Sequence, residues 1–377
     1  MNKLKVFVYA ICKNESKFAN RWMDSMSEAD RIYVLDTGST DNTVELLKNR
    51  GAIVSVQSIV PWRFDEARNR SLDLVPAEAD ICVCTDLDET FNPGWRENLE
   101  NAWTEGTSSA RYIYNWRLKP DGSPDIQIFY FKIHARKGFI WRCPIHEYLE
   151  CLLPNGNNYV FAEGVVLTHL PDISKSRAYY LELLETAVKE SPMDARMNYY
   201  LGREYMYNKR WLDCISVLKN QLNLPTSFWK EERCASMRWI AHSYMNMGNY
   251  DSAYVWFQAA VSELPDMRDA YVECAQMAYS LADWQKCADY AENALKIDKK
   301  AFNFVNQGYA WDHTPHDLAA IANFNLGKLD KSLEHAQKAL EISPGIERLD
   351  RNAKIIEKAC VKKRLESSNI ESGNPSE

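Results

Sequence analysis

The chain has 377 residues, of which 46% are hydrophobic, and its 52 acidic against 45 basic residues give a formal net charge of −7. A chain of this length predicts two or three domains. The acidic balance and the absence of a long basic run argue against a non-specific electrostatic grip on nucleic acid. No window approaches roughly 18 consecutive apolar residues, and the chain starts with a strand-like segment instead of a signal peptide. We therefore expect no membrane span and a cytoplasmic location.

The ten cysteines are scattered singly, except for Cys82 and Cys84. No C-x-x-C pair offers a zinc site. Cys82 and Cys84 fall on one face of a predicted strand, where neighbours at i and i+2 rarely meet disulfide geometry. We expect reduced, buried thiols.

Strand and helix signals alternate along the first 100 residues. Predicted strands cover residues 5–11, 31–35, 52–56 and 81–85, and predicted helices cover 15–26, 44–49 and 64–74. This order predicts a mostly parallel sheet with helices on both faces, which is an α/β fold. From about residue 111 to 169 the pattern becomes β-rich with Pro- and Gly-containing turns, and these strands are expected to extend or flank the sheet.

From residue 174 onward the pattern is helical and repetitive. Aligning Leu201-Gly202, Ile240-Ala241, Cys274-Ala275 and Ala319-Ala320 brings small, aromatic and turn residues into register. The spacing resembles the tetratricopeptide repeat, an α-solenoid whose small residues let the two helices of each unit pack closely. An insertion at residues 301–315 separates the third unit from the fourth. The predicted boundaries are 1–172 for the α/β domain, 173–365 for the all-α repeats and 366–377 for a polar, disordered tail.

Two carboxylates, Asp86 and Asp88, follow the apolar segment 81–85 directly. In open α/β sheets ligands bind outside the carboxyl ends of the strands. Mg²⁺ and Mn²⁺ accept one or two carboxylates together with substrate phosphates. The alternative is a solvated acidic turn, and a D-x-D pair alone does not decide between them. Glu89 is expected only to finish this turn.

Three further segments leave the same predicted edge. One contains Asn14 and Glu15, one is the polar loop that begins at Asp36, and one is an F-x-x-A-R-N sequence that ends in Arg68 and Asn69. Together with the D-x-D pair they resemble the nucleotide-sugar-binding half of family 2 glycosyltransferases, which have a GT-A-like fold, over roughly residues 1–170. The resemblance implies metal-dependent, inverting transfer of a sugar from a nucleotide-diphosphate sugar, with a UDP-sugar as the first expectation.

The resemblance also implies roles for individual residues. Asn14, Glu15 and Asp36 would contact the nucleoside, whereas Asp41 in the same loop is expected to cap the following helix. Arg68 and Asn69 would face the donor, and Arg68 can offset diphosphate charge. The alternative for Arg68 is a surface ion pair on its helix.

The metal and the base follow from the same resemblance. Asp88 is expected to bind Mn²⁺ or Mg²⁺ directly, and Asp86 to reach the ribose, or the metal through water. His169 ends a predicted strand and is a further metal ligand or a structural histidine. Glu147 is the expected general base. His146 beside it could orient Glu147, touch the metal or be structural.

The repeats are expected to present a groove for the acceptor or for a second subunit, so a homodimer stays open. Such a domain pair resembles bacterial enzymes that glycosylate peptides or proteins, which makes a Ser, Thr or Cys side chain the first acceptor. A saccharide comes second, and a modified nucleobase in DNA third because of the net acidity. A hypothesis of another class is that the repeats are a protein-interaction scaffold and that the first domain is inactive.

Overall fold

The computed structural model describes residues 3–172 and 179–371. Contacts divide the chain into two compact units. The first contains the residues up to Pro192 together with Phe302–Phe304, and the second contains Met193–Ala301 and the residues from Val305 onward.

Within the described residues, eight strands of the first unit form one mixed sheet, in the order β3-β2-β1-β4-β7-β6-β10-β5, and two more form a separate ribbon. The strands are β1 Val6–Cys12, β2 Arg31–Asp36, β3 Ile53–Val56, β4 Ile81–Cys84, β5 Glu89–Phe91, β6 Ser109–Leu118, β7 Pro124–Ala135, β8 Phe139–Arg142, β9 Tyr148–Cys151 and β10 Tyr159–His169. The predicted α/β sheet followed by helical repeats is confirmed.

Strands β1 to β4 pair in parallel: β1 lies between β2 and β4, and β3 extends the sheet beyond β2. Both faces of β1 and β4 are buried, which explains their continuous apolar sequences. Since Cys12 pairs with Asp36 and Tyr9 with Cys84, the carboxyl ends of these strands open at one edge of the sheet. That edge receives the loops singled out by the sequence.

The second half of the sheet is mixed. β7 pairs antiparallel with both β4 and β6, β6 is parallel to β10, and β5 is antiparallel to β10. The long β6–β7 hairpin therefore joins the sheet directly beside β4. β8 and β9 form the separate antiparallel ribbon, whose connecting loop contains Glu147.

Helices cover the sheet because each has an apolar face to bury. In α1 this face is formed by Phe18, Ala19, Trp22 and Met23, which are all buried. The helices of the first unit are α1 Ser16–Ser25, α2 Thr43–Asn49, α3 Phe64–Asp73, α4 Trp95–Ala102 and α5 Tyr180–Glu190.

The second unit is a succession of helix pairs, in which α6 packs on α7, α8 on α9, α10 on α11 and α12 on α13. Small residues permit the close approach: a side chain at Gly202 would collide with Leu218 of the partner helix. The helices are α6 Ala195–Tyr207, α7 Trp211–Asn223, α8 Lys230–Asn246, α9 Tyr250–Glu263, α10 Arg268–Ser280, α11 Trp284–Leu295, α12 Thr314–Asn325, α13 Leu329–Ile342 and α14 Glu347–Glu371.

The insertion between the third and fourth repeat is packed, with Val305, Asn306 and Ala310 buried. Helix α14 carries on into the segment where the sequence predicts a tail, and residues 372–377 lie outside the described residues. All ten cysteines are free, and both Cys82 and Cys84 are buried, as expected. In the described part of the chain, no helix combines the length and apolar character needed to cross a membrane.

Candidate active site

Arg68 is the centre of the site. It lies on α3 and is 2% exposed. Its Nη2 donates to Asp86 Oδ1 at 2.5 Å, and its Nε donates to Glu147 Oε1 at 3.0 Å. The guanidinium also lies 5.6 Å from the centre of the Trp141 ring. One side chain thus joins three of the predicted site residues, from α3, the end of β4 and the β8–β9 loop.

Asp86 is held by two cations. Besides Arg68, the ammonium group of Lys132 donates to its Oδ2 at 3.0 Å. Burial by itself would raise the pKa of Asp86, but the charges of Arg68 and Lys132 outweigh this effect and lower the pKa below its ordinary value. The Asp86 carboxylate is therefore ionised at neutral pH and occupied by protein donors.

Lys132 is a site residue that the sequence did not single out, and Glu89 is one that was expected only to finish the turn. Lys132 Nζ also lies 3.4 Å from Glu89 Oε1, and Tyr114 donates to the same oxygen at 2.6 Å. The other oxygen of Glu89 accepts from the Asp86 backbone N–H at 2.9 Å. Burial raises the pKa of Glu89 although Lys132 opposes it. Glu89 therefore does more than finish the turn, because it anchors both Lys132 and the D-x-D backbone.

A signal for Lys132 was present in the sequence. It stands between Phe131 and Ile133, in a strand that the sequence already places in or beside the sheet. A lysine is almost never fully buried unless it is paired. A lysine inside an apolar strand therefore indicates a buried acidic partner, although the sequence does not identify which carboxylate it is.

Asp88 and His169 form a second pair. His169 Nε2 lies 3.6 Å from Asp88 Oδ2, and the Leu170 backbone N–H donates to the Asp88 carbonyl at 2.8 Å. Nδ1 of His169 donates to the Trp116 carbonyl oxygen at 3.2 Å. Burial would lower the pKa of His169, but the nearby Asp88 carboxylate raises it. Asp86 and Asp88 thus have different partners.

The side chains around the acidic turn offer few ligands for the expected cation. No group of three or more His, Cys, Asp or Glu side chains that could hold a metal occurs in the described ranges 3–172 and 179–371. Asp88 and His169 are the two candidate ligands, because the Trp116 carbonyl accepts from His169 Nδ1 and leaves Nε2 facing Asp88, where a bound cation would take the place of the Nε2 proton. A divalent cation bound there would complete its shell with phosphate oxygens and water.

The loops after β1 and β2 are tied to each other. Asn14 Oδ1 accepts from the Thr40 backbone N–H at 2.7 Å, and the Asn14 N–H donates to Ser39 Oγ at 2.8 Å. Asp36 is fully buried and its Oδ1 accepts from the Gly38 and Ser39 N–H groups at 3.0 and 2.9 Å. These contacts fix the loops after β1 and β2 relative to each other. Nucleoside contacts by Asn14 and Asp36 stay predictions.

Glu15 and Asp41 connect the same loops to helices. The Glu15 backbone N–H donates to Thr43 Oγ1 at 2.8 Å, and Glu15 is 8% exposed. Asp41 Oδ1 accepts from the Thr43 N–H at 3.0 Å, but the N-cap position of α2 is Asn42, so Asp41 bonds to the helix start from one residue before the cap. Burial raises the pKa of Asp41, but hydrogen bonds from Thr43 and Ser16 lower it to about 2.

The Asn69 side chain bonds to the backbone of β8. Its Nδ2 donates to the Trp141 carbonyl at 3.0 Å, and its Oδ1 accepts from the Trp141 N–H at 2.9 Å. The amide therefore fastens α3 to β8. This contact places Asn69 as a support for the ribbon that carries Glu147, while a contact with the donor stays a prediction.

The loop of Glu147 has an unusual backbone. Cys143 and His146 have φ angles of 76° and 50°, in the left-handed region that side chains other than glycine rarely adopt. The Phe64 N–H donates to the Pro144 carbonyl at 3.0 Å, which ties the loop to the start of α3. The His146 ring meets the Tyr180 ring edge-on at 6.3 Å. The loop is thus fixed on both sides of the Arg68–Glu147 contact.

Comparison with known families identifies both parts. Residues 8–147 match the family model of glycosyl transferase family 2, and residues 239–265 match that of the tetratricopeptide repeat. Residues 8–147 are thus similar to family 2 glycosyl transferases, and residues 239–265 are similar to a tetratricopeptide repeat. The family 2 match includes the loops after β1 and β2, the D-x-D pair and Glu147. The tetratricopeptide match begins within α8 and covers α9.

Solved structures similar to this chain include tetratricopeptide proteins. MamA is 18% identical, with a TM-score of 0.35, over 43% of this chain and 85% of MamA. TTC0263, a thermophilic protein of Thermus thermophilus, is 17% identical, with a TM-score of 0.34, over 47% of this chain and 88% of TTC0263. YrrB, described as having an unusual peptide-binding site, is 14% identical, with a TM-score of 0.35, over 46% and 81%. These values support no conclusion about function.

Proposed function

We propose that the protein is a metal-dependent, inverting glycosyltransferase that moves a sugar from a nucleotide-diphosphate sugar to a protein or peptide side chain. The observation that supports this most strongly is the Arg68 bridge. It holds Glu147 and Asp86 on one buried guanidinium, at 3.0 and 2.5 Å, within a family 2 domain. The base and the acidic strand end are thereby brought to one place before any substrate binds.

Glu147 is proposed as the general base. Its side chain is 12% exposed and is oriented by Arg68. It would take the proton from an acceptor hydroxyl or thiol while that atom attacks the anomeric carbon. The bond between the anomeric carbon and the diphosphate oxygen breaks as the new bond forms, and the nucleotide diphosphate leaves. A single displacement of this kind inverts the anomeric configuration.

The donor site is proposed along the strand ends. Asn14, Glu15 and Asp36 would lie beside the nucleoside, at the ends of β1 and β2. Arg68 and Lys132 put two positive charges next to Asp86, where a diphosphate would otherwise meet only carboxylates. Asp86 is proposed to contact the ribose or metal-bound water, since its oxygens already accept from both cations.

Asp88 and His169 are the proposed metal ligands. A nitrogen ligand beside a carboxylate favours Mn²⁺ over Mg²⁺, because Mg²⁺ strongly prefers oxygen. When bound there, the cation would neutralise charge that develops on the leaving diphosphate.

The acceptor follows from the second unit. Tetratricopeptide repeats bind other proteins through extended surfaces, which supports a protein or peptide as the partner of this domain. A Ser, Thr or Cys side chain is the acceptor that fits a carboxylate base. A saccharide acceptor is the outcome that the test must separate from this one.

The experiment is nucleotide release from a panel of nucleotide sugars with Mn²⁺. We expect release by the wild type, strong loss in Asp88→Ala, and no change in Glu66→Gln, which removes an exposed carboxylate of α3 that pairs with Arg70. Mass spectrometry of peptide acceptors and the anomeric proton spectrum of the product test acceptor and inversion. If the wild type neither releases nucleotide nor is thermally stabilised by any sugar nucleotide of the panel, the proposal is wrong.

A further inference from the structure

A row of contacting aromatic rings runs along the β6–β7 hairpin to the Asp88–His169 pair. Tyr130 and Tyr114 are parallel, with centroids 4.9 Å apart and an interplanar angle of 9°. Trp116 follows Tyr114 at 6.0 Å and stacks on His169 at 5.0 Å and 22°. Because Tyr114 and Trp116 are two residues apart on one strand, they point to the same face of the sheet.

Trp116 is the exposed end of this row. It is 45% exposed, whereas Tyr114 is 2% exposed. Its position is fixed twice, because its ring lies on the His169 imidazole and its carbonyl accepts from His169 Nδ1 at 3.2 Å. A large, half-exposed indole in a fixed position therefore lies beside the side chains proposed to hold the cation and the diphosphate.

The sheet order indicates which part of a substrate reaches this indole. The nucleoside is proposed at the ends of β1 and β2, and Trp116 lies on β6, three strand positions beyond β1 in the order β1-β4-β7-β6. With strands about 4.8 Å apart, this is a separation of roughly 14 Å. The proposed nucleobase position and Trp116 thus lie at opposite ends of the site, and the indole is beyond Asp86, on the side where the transferred sugar would lie in the proposed function.

We propose that Trp116 is a stacking platform for a pyranose ring with an unbroken face of axial C–H bonds, such as glucose or N-acetylglucosamine. This inference rests on the proposed function and adds the class of sugar. The face of an indole carries negative potential, and the C–H face of such a sugar is apolar and weakly positive, so the two attract each other. A sugar whose axial hydroxyl lies on the stacked face would stack less well.

The pyranose has two chemical sources, the glycosyl group of the donor and a saccharide acceptor. The test therefore compares donor hydrolysis without acceptor, transfer to a saccharide acceptor, and binding of the nucleoside diphosphate alone. The variants are Trp116→Ala, Trp116→Phe and the control Phe131→Ala. Phe131 is a 39% exposed aromatic of β7 whose ring contacts Tyr159 and has no part in the row.

We expect Trp116→Ala to raise KM for the gluco-configured nucleotide sugar by about 2- to 13-fold, the equivalent of an aromatic contact of about 0.5–1.5 kcal/mol. Binding of the nucleoside diphosphate should be unchanged, Trp116→Phe should restore most of the loss, and Phe131→Ala should match the wild type. A loss in hydrolysis assigns the platform to the donor sugar, and a loss confined to transfer assigns it to the acceptor. If the wild type is active and Trp116→Ala keeps its KM in both reactions, the inference is wrong.

A second readout separates this inference from the proposed function. Saturation-transfer NMR with free methyl glucoside and methyl N-acetylglucosaminide reports sugar stacking without any turnover. If the wild type releases no nucleotide but gives a saturation-transfer signal that Trp116→Ala loses, the stacking role of Trp116 is supported and the transferase proposal is contradicted. Equal signals in wild type and Trp116→Ala contradict the platform, whether or not the enzyme is active.

Discussion

The contribution of the Arg68 contacts with Asp86 and Glu147 to stability can be measured as a change in the free energy of unfolding. Replacing Arg68 by Met keeps most of the aliphatic volume and removes both charge-assisted hydrogen bonds. Arg68 has 3% side-chain exposure and Glu147 has 12%, so solvent screens their interaction weakly. Removing one partner of a buried pair costs about 3–5 kcal/mol of unfolding free energy. Since Lys132 still contacts Asp86 at 3.0 Å, most of the loss should fall on Glu147.

A double-mutant cycle isolates the Arg68–Glu147 contact. We expect Arg68→Met, Glu147→Gln and the double variant to give a coupling energy of about 1.5–3 kcal/mol, the range for a hydrogen bond to a charged group. The assay is urea denaturation followed by circular dichroism at pH 7. The matched control is the Arg70–Glu66 pair of the same helix, which has 44% and 46% exposed side chains and should couple by about 0.5 kcal/mol or less.

The pH dependence of folding stability tests the contribution of Asp86. The folded-state pKa of Asp86 is lowered, so its contribution to stability is present above the unfolded pKa of about 3.9 and is lost as the pH falls through the folded value. The difference between wild type and Arg68→Met should therefore shrink below about pH 4. A coupling energy for Arg68–Glu147 as small as that of the control pair would refute the bridge.

Three further predictions concern stability. Burial raises the pKa of Glu232 to about 7 from 4.5, so the fold should lose about 2–3 kcal/mol as pH rises through this interval, and Glu232→Gln, unlike Glu231→Gln, should abolish that loss in pH-dependent melting. Glu273→Gln should cost about 3–5 kcal/mol in urea denaturation because it removes the closer carboxylate partner of the buried Arg238 and leaves it only Asp269 at 3.9 Å; a cost below about 1 kcal/mol contradicts this. Asn69→Ala should cost about 2 kcal/mol through its two lost hydrogen bonds to β8, and an unchanged urea midpoint would contradict that.

The parallel half of the sheet could be predicted from the sequence because its strands are buried on both faces. Such strands read as continuous apolar runs, and the residues that follow them must meet at one edge. This pattern alone places Asp36, Asp86 and Asp88 at the same edge of the sheet, where the parallel strands end. The contact of Arg68 with Asp86 was not predicted, because the sequence suggested only that Arg68 faces the donor or makes a surface ion pair.

The partners of Asp86 could be predicted only in part. Lys132 reaches it because β7 inserts antiparallel between β4 and β6, a pairing between segments about 50 residues apart that no local pattern encodes. The two-sided hydrogen bonding of Asn69 to Trp141 depends on the position of the β8–β9 ribbon, which has the same origin. Local sequence therefore encodes the chemistry of the loop edge, while long-range strand pairing decides which charges neutralise each other.

The most direct measurement of the central claim is the nucleotide-release rate of Glu147→Gln at saturating nucleotide sugar and Mn²⁺. If Glu147 is the base, the rate should fall by about 10²- to 10⁴-fold while donor-induced thermal stabilisation is retained, because general-base catalysis contributes about that factor. The wild type and Glu66→Gln provide the reference rate. A Glu147→Gln enzyme that binds donor and turns it over at the wild-type rate would contradict the account.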